Sequence, residues 1–187
     1  WTTKEILTTS LFWIPFCGLA PLSMAFGTLQ FNLGIIVQDI GLDGDVTAGL
    51  IALTSVSMVL GKLFFGVMGD RVDHRKLYWV ANAATIVAVL LIMNAQSLEV
   101  LVIATFATGI SGGGILPLMG LMYSYRFGVA SFGRVMGFGM LTIMAGAISP
   151  IGAGWVYDLY GSYSYAFIAL IIIMLPSGIA MAWLRER

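Results

Sequence analysis

The chain has 187 residues, of which 59% are hydrophobic and 10% are charged, and its mean hydropathy is +0.97. A soluble domain usually has about 25% charged residues and 45–50% apolar residues, so this composition excludes a soluble globular protein. The net charge of zero offers no basic face for nucleic acid, and the single cysteine, Cys17, excludes a disulfide framework or a multi-cysteine metal site.

Six long apolar stretches follow one another along the chain. Each approaches or exceeds the roughly 20 residues that an α-helix needs to cross a bilayer, and Lys62 in the second is the one charge that such a stretch must tolerate. A backbone in contact with lipid must form its hydrogen bonds within the segment, which favours helices. We therefore predict an all-α membrane protein with six transmembrane helices and no soluble domain. The predicted helices cover residues 8–37, 45–69, 76–95, 98–125, 132–157 and 162–184.

Charged residues in the predicted connections alternate from one side of the membrane to the other. The first, third and fifth connections contain only acidic residues, whereas eight of the nine basic residues lie in the other connections or near the termini. Because basic residues concentrate in cytoplasmic loops, we predict that both termini face the cytoplasm, across a plasma membrane or a bacterial inner membrane. These eight residues are Lys4, Arg71, Arg75, Lys76, Arg126, Arg134, Arg185 and Arg187.

The six predicted helices form two groups of three with opposite orientations in the bilayer. This is the arrangement of an inverted repeat, which many transporters use to build a binding site near the middle of the membrane. No residue-level repeat accompanies it, so the inference rests on topology alone.

Lys62 is the ninth basic residue and lies within the second predicted helix. If the cytoplasmic edge of the membrane is near Asp70, Lys62 lies about 12 Å inside a hydrocarbon layer whose half-thickness is about 15 Å. A lysine near the helix centre costs roughly 2.5–3.5 kcal/mol, and a side-chain stem of about 6 Å recovers only part of that depth. Three partners stay open: a bound anion, a carboxylate elsewhere in the protein, or water reached by snorkelling.

Four uncharged polar residues lie within the predicted helices, where they could hydrogen-bond a solute. Hydrogen bonds between helices would account for them equally well. The four residues are Gln30, Asn32, Thr108 and Ser111.

The sequence around Ser111 also resembles the nucleophile motif of rhomboid intramembrane proteases. A serine nucleophile needs a histidine base within hydrogen-bond distance, and the single histidine, His74, lies in a predicted loop. No segment resembles a nucleotide or metal site. We therefore predict that the protein is not an enzyme and that it has no catalytic residue, no metal ligand and no cofactor.

The connection after the second predicted helix resembles the loop signature of the major facilitator superfamily. That signature is a Gly, three residues, Asp-Arg and then a basic pair, and the family uses it after its second helix and, more loosely, after its eighth. The chain departs from it at Asp73, where Gly is usual, and at His74, where Arg is usual. The resemblance implies a gating role for the matching residues, which are Gly66, Asp70, Arg71, Arg75 and Lys76.

The rest of the chain resembles the same family. The segments 132–137 and 154–163 are similar to its last two helices, and the segment 1–13 is similar to its entry into helix seven. The resemblance implies the C-terminal six-helix half of a twelve-helix transporter, whose partners would be the lipid bilayer and an N-terminal six-helix half. The start at Trp1 rather than Met agrees with a fragment.

Residues 61–66 are similar to the monocarboxylate transporter and oxalate–formate antiporter branches of the family. In those branches a basic residue, usually Arg, stands four positions before the Gly that corresponds to Gly66 and binds the substrate carboxylate. The resemblance therefore implies that Lys62 binds substrate. Met58 stands where proton-coupled members place an Asp.

The function predicted from these features is secondary active transport of a small organic anion, a mono- or dicarboxylate, by alternating access. Two alternatives stay open. The protein could carry a non-anionic solute, with Lys62 paired to a carboxylate of the missing half, or it could be a six-helix scaffold or sensor that transports nothing.

Overall fold

The computed structural model describes residues 1–184 and consists almost entirely of α-helices. Arg185 and Arg187, two of the basic residues predicted to be cytoplasmic, lie outside this range. The helices are α1 (Thr3–Thr8), α2 (Ser10–Asp39), α3 (Gly44–Gly69), α4 (His74–Met93), α5 (Leu98–Phe127), α6 (Val129–Gly139), α7 (Leu141–Tyr160) and α8 (Ser164–Ala182).

Six segments of the described chain are long and apolar enough to cross a membrane. They are α2, α3, α4, α5, the pair α6–α7, and α8. The prediction of an all-α membrane protein with six transmembrane helices is therefore confirmed, and the ends of most helices lie within two residues of the predicted positions.

The fifth span is not the continuous helix 132–157 that the sequence predicts. It begins earlier, at Val129, and it is interrupted at Met140, between α6 and α7. Glycines at 133, 137 and 139 weaken the helical preference of this region. The N–H of Met140 still donates to the carbonyl of Met136 (2.9 Å), and the N–H of Met144 donates to that of Met140 (3.3 Å). The interruption is therefore a local distortion within one span.

The first predicted helix also begins differently, because a separate short helix, α1, precedes it. Thr9 separates the two helices in an extended conformation (φ −96°, ψ 139°), and its hydroxyl accepts a hydrogen bond of 3.3 Å from the N–H of Leu11. Threonine is a favoured N-cap residue, so Thr9 both ends α1 and begins α2.

Helices of one group of three pack mainly on helices of the other group. The first helix of each group packs most extensively on the second helix of the other group, so that α2 packs on α7 and α5 packs on α3. In the same way, α4 packs on α5 and α8 packs on α2. This reciprocal arrangement, with α2 and α5 at the centre, is that of an inverted repeat.

Glycines allow the central helices to approach their neighbours closely. A Cβ added to Gly61 of α3 would lie 2.9 Å from the carbonyl carbon of Ile110 in α5, and one added to Gly109 would lie 2.8 Å from the carbonyl oxygen of Thr54. In lipid, helices associate through such close packing rather than through the hydrophobic effect.

Candidate functional site

Lys62 lies on the exposed side of α3. The side of α3 that packs on α5 is marked by buried residues three or four positions apart, among them Ser57, Gly61 and Phe65. Lys62 follows Gly61 and is therefore rotated by about 100° around the helix, away from that contact. Its side chain forms no hydrogen bond or ion pair with any residue of the described range 1–184.

A contact between α3 and α2 lies near the start of α3. Thr47 stands about five full turns before Phe65 and therefore lies on the side of α3 that packs on α5. A Cβ added to Gly34 of α2 would lie 3.7 Å from Cγ2 of Thr47. This contact does not include Lys62, which lies about 60° further around α3 on the exposed side of the helix.

Gln30 and Thr108 line a small cavity where α2, α3 and α5 meet near the end of α4. The cavity has a volume of about 10 Å³. Thr108 donates its hydroxyl hydrogen to the carbonyl of Ala104 (2.8 Å), whereas the amide of Gln30 has no hydrogen-bond partner within residues 1–184. The complete lining is Leu29, Gln30, Leu33, Thr54, Ile92, Thr105 and Thr108.

Thr105 is a polar residue of this cavity that sequence reasoning missed. Its side chain is 3% exposed, and Oγ1 has no hydrogen-bond partner in the described structure. Thr105 lies three positions before Thr108 in α5, so the two share one side of the helix. The three-residue spacing indicates from sequence that the two threonines share a side of the helix, but it does not reveal which of the two hydroxyl groups lacks a hydrogen-bond partner.

Asn32 is buried between helices rather than in the cavity. Its amide donates to the carbonyl of Thr28 (3.0 Å), and its Oδ1 accepts a hydrogen bond of 2.9 Å from the hydroxyl of Tyr163, which precedes α8. Burial raises the pKa of Tyr163 to about 12, so its hydroxyl remains a donor at neutral pH. These bonds favour a role for Asn32 in joining α2 to the start of α8.

Ser111 is likewise engaged between helices. Its Oγ accepts a hydrogen bond of 2.8 Å from the hydroxyl of Thr85 in α4 and donates to carbonyls of its own helix, including that of Ala107 (2.9 Å). The residue is 1% exposed. Its contacts favour a structural role in holding α4 against α5, and its role in substrate binding stays a prediction.

The loop between α3 and α4 is organised by Asp73. One carboxylate oxygen of Asp73 accepts a hydrogen bond from the N–H of Arg75 (2.8 Å), and the other pairs with the Arg75 guanidinium (2.8 Å). Asp73 thus caps α4, since aspartate is a favoured N-cap residue. The residue that caps α4 is therefore Asp73, which departs from the loop signature, rather than Asp70.

A cavity of about 390 Å³ lies at this end of the bundle, beside part of the loop signature. Asp70 and Arg71 are exposed and line it, as do His74 and Arg126. His74 is held by a hydrogen bond of 3.1 Å between Nε2 and the carbonyl of Gly69. Lys76 is exposed, and Gly66 has open space where a Cβ would lie.

A comparison with protein families identifies the family of this helical chain. The model of the Major Facilitator Superfamily matches residues 15–187, which is nearly the whole chain. The chain belongs to the Major Facilitator Superfamily. Because the members of this superfamily are transporters, the protein is an integral membrane protein of a transporter family.

Individual relatives within the superfamily are distant. The chain is 25% identical over 146 residues to the multi-drug resistance efflux pump PmrA of Streptococcus pneumoniae, and the match covers 78% of this chain and 33% of that protein. It is 26% identical over 132 residues to an MFS-type transporter of Aspergillus fumigatus, covering 70% of this chain and 30% of that protein. The matches therefore span about a third of each relative's length.

Proposed function

We propose that this chain forms one six-helix half of a secondary transporter that carries a small organic anion, a mono- or dicarboxylate. The observation that carries the proposal is Lys62, a cation within a membrane span that no residue of the described range neutralises. Membership of the superfamily supports the transporter scaffold. The resemblance of residues 61–66 to the monocarboxylate transporter and oxalate–formate antiporter branches supports the choice of an anion.

The position of Lys62 suits this role electrostatically. The carboxylates of residues 1–184 lie near helix ends or in connections, so the positive charge dominates the middle of the span. An ion pair is worth far more in a medium of low dielectric constant than in water, so an anion that enters this region is attracted to Lys62. Lysine offers a point charge rather than the two parallel donors of arginine, which suits carboxylates bound in several orientations.

Transport would then follow from movement of the two halves about the binding site. In transporters built from inverted repeats, largely rigid halves rock around a site near the bilayer midplane and expose it to one side at a time. A second half would face the side of this half that carries Lys62. The bound anion would neutralise Lys62 and so lower the cost of enclosing it.

The second candidate is transport of a non-anionic solute, with Lys62 paired to a carboxylate outside the described residues. The observation that favours it is the similarity to the multi-drug resistance efflux pump PmrA. The first candidate predicts that Lys62 is bound to solute, whereas the second predicts that it is bound to protein. An aspartate or glutamate facing Lys62 from the remaining part of the protein would support the second candidate.

Uptake by the complete transporter in proteoliposomes separates the two candidates. The probes are radiolabelled formate, acetate, lactate, oxalate and succinate, with the cationic dye ethidium as the non-anionic probe. Lys62→Ala and Lys62→Glu should reduce uptake of the transported anion by more than tenfold, and Lys62→Arg should retain part of it. The exposed basic residue Lys4 provides the control, and Lys4→Ala should have no effect. Unchanged anion uptake in Lys62→Ala, or uptake of ethidium alone by the wild type, overturns the proposal.

A further inference from the structure

Helices α7 and α8 leave an elongated groove between them, with α2 as its floor. Both helices pack on α2 but contact each other little. This α7–α8 groove has a volume of about 490 Å³. It stays open because many of its lining residues are small, among them Ala145 and Gly152 of α7 and Ala166 and Ala169 of α8. A Cβ added to Gly152 would meet nothing within 4 Å, so no side chain of the described residues fills the space beside it.

The α7–α8 groove is continuous with a surface that the bilayer covers. The exposed residues of α8 are apolar or aromatic, and the helix carries no charged residue. The rim of the groove continues this surface with three exposed isoleucines, Ile148 and Ile151 of α7 and Ile173 of α8. A large exposed apolar surface on an integral membrane protein lies against lipid. An occupant of the groove therefore enters from the hydrocarbon of the bilayer.

The two hydroxyl groups that line the α7–α8 groove have no hydrogen left for an occupant. The hydroxyl of Thr28 donates to Oγ of Ser149 (3.1 Å), and the hydroxyl of Ser149 donates to the carbonyl of Met24 (2.8 Å). The other lining residues are apolar. A polar solute would lose its hydration here without gaining a donor, whereas a hydrocarbon chain gains dispersion contacts with the lining.

The dimensions of the α7–α8 groove fit one acyl chain. Its lining in α7 runs from Ala145 to Val156, about 16 Å along the helix axis, and the hydrocarbon of one leaflet is about 15 Å thick. Carbon atoms contact at about 3.5–4.0 Å, so an acyl chain about 4–5 Å across needs roughly 200–320 Å³ over that length. A helix, about 10–12 Å across, would need more than about 1200 Å³. The volume of about 490 Å³ therefore admits a bent acyl chain but not a helix.

One end of the α7–α8 groove lies at the level of the lipid headgroups. Val156 and Ala166 line this end, and Tyr160 and Tyr165 lie beyond it, with ring centroids 4.8 Å apart. Tyrosine is enriched at the interface between membrane and water. The groove therefore extends from the headgroup level at the α7–α8 connection to about the middle of the bilayer.

We propose that the α7–α8 groove binds one acyl chain of a phospholipid from the leaflet that borders the α7–α8 connection. The headgroup lies near Tyr160 and Tyr165, and the chain extends past Gly152 to Ala145. Because the isoleucines of the rim are β-branched and stiff, the groove is formed in advance and orders few side chains on binding. The lining recognises the acyl chain rather than the headgroup. This site goes beyond the proposed transport function and does not depend on Lys62.

Photo-crosslinking of the complete transporter tests the proposal. The transporter is placed in phosphatidylcholine nanodiscs that contain a phosphatidylcholine probe with a diazirine in the middle of one palmitoyl chain, and the labelled residues are identified by mass spectrometry. Val87 and Leu90 of α4, which are exposed and lie near the same end of the bundle, give the reference for ordinary lipid contact. Label in the groove should exceed this reference by about threefold or more, because close packing retains the chain.

Gly152→Phe should fill the α7–α8 groove and lower its labelling to the level of the reference. Ala169→Phe fills the groove from α8 and should have the same effect. Gly154→Phe is the matched control, because a Cβ on Gly154 also meets nothing within 4 Å but this residue does not line the groove. It should leave the labelling of the groove unchanged. A phosphatidylglycerol probe with the same labelled chain should give the same pattern.

Several results would overturn the proposal. Equal labelling of the groove and the reference means that ordinary lipid contact accounts for the label. Absence of label from the groove, with the reference labelled, means that protein covers it. Unchanged labelling in both Gly152→Phe and Ala169→Phe, or an equal loss in Gly154→Phe, contradicts binding in the groove. Labelling that depends on the headgroup contradicts recognition of the chain. Reference labelling in every variant shows that the protein is folded in the bilayer.

Discussion

Gly61 of α3 lies directly against the backbone carbonyl group of Ile110 in α5. A Cβ at this position would lie 2.9 Å from the carbonyl carbon, so only glycine permits the observed approach of the two helices. The contact also determines the rotation of α3 about its axis. It turns Lys62, the next residue, away from this contact with α5.

Gly61→Ala should therefore destabilise the transporter more than the same change elsewhere in α3. Because the added methyl group meets backbone rather than a flexible side chain, we expect a loss of about 1–3 kcal/mol in the free energy of unfolding. Gly49→Ala is the matched control, since a Cβ there meets nothing within 4 Å. The measurement is the unfolding midpoint in detergent, and equal midpoints for the two variants would contradict the close contact.

Tyr163→Phe should lower stability without affecting the affinity for the transported solute. The substitution leaves Oδ1 of Asn32 without the hydrogen bond of 2.9 Å that it accepts from the Tyr163 hydroxyl. Such bonds within membrane proteins contribute about 0.6 kcal/mol on average and up to about 1.7 kcal/mol. A double-mutant cycle with Asn32→Ala measures the coupling. A raised KM in Asn32→Ala but not in Tyr163→Phe would instead assign Asn32 to substrate binding.

Thr85→Val and Ser111→Ala should have similar and non-additive effects on stability. The two hydroxyl groups share a hydrogen bond of 2.8 Å between α4 and α5, so removing either one loses the same interaction. We expect each variant to retain the wild-type KM for the transported solute. If Ser111→Ala raises KM while Thr85→Val does not, Ser111 binds solute and the structural interpretation is wrong.

Asp73→Ala should fray the start of α4, whereas Asp70→Asn should not. The loss of the N-cap hydrogen bond to Arg75 costs about 0.5–2 kcal/mol, and the ion pair with Arg75 is lost as well. Asp73→Asn should keep the cap and lose only the charge, giving an intermediate effect. Hydrogen exchange of the amides of residues 75–77 reports on the fraying, and faster exchange in Asp70→Asn than in Asp73→Ala would contradict this assignment.

Much of the fold follows from the arrangement of charges along the chain. A polar backbone and charged side chains are costly in hydrocarbon, so long uncharged stretches have few alternatives to transmembrane helices. For this reason the ends of α3, α4 and α8 lie close to their predicted positions. The distortion at Met140 was not predicted from the sequence, and Gly139 beside it packs closely on α5, where a Cβ would lie 2.7 Å from the ring of Tyr123.

The candidate site was predictable in part, because some of its properties depend on position along one helix and others depend on contacts between helices. Lys62 stands out because the cost of burying a charge in a membrane depends on depth, which sequence spacing already determines. Gln30, Asn32, Thr108 and Ser111 look alike in sequence, because each is one uncharged polar residue in an apolar helix. The neighbouring helices make the difference. Asn32 accepts a hydrogen bond from Tyr163 and Ser111 accepts one from Thr85, whereas Gln30 has no hydrogen-bond partner within residues 1–184.

The sequence by itself determined the six spans, the separation of acidic from basic connections and the isolation of Lys62 within a span. These properties depend on solvation and helix length, which are local along the chain. The tertiary structure alone decided which hydroxyl groups have partners, that Asp73 rather than Asp70 caps α4, and that Lys62 lies on the exposed side of α3. Those properties depend on contacts between helices far apart in sequence, whose geometry is set by close packing at glycines such as Gly61.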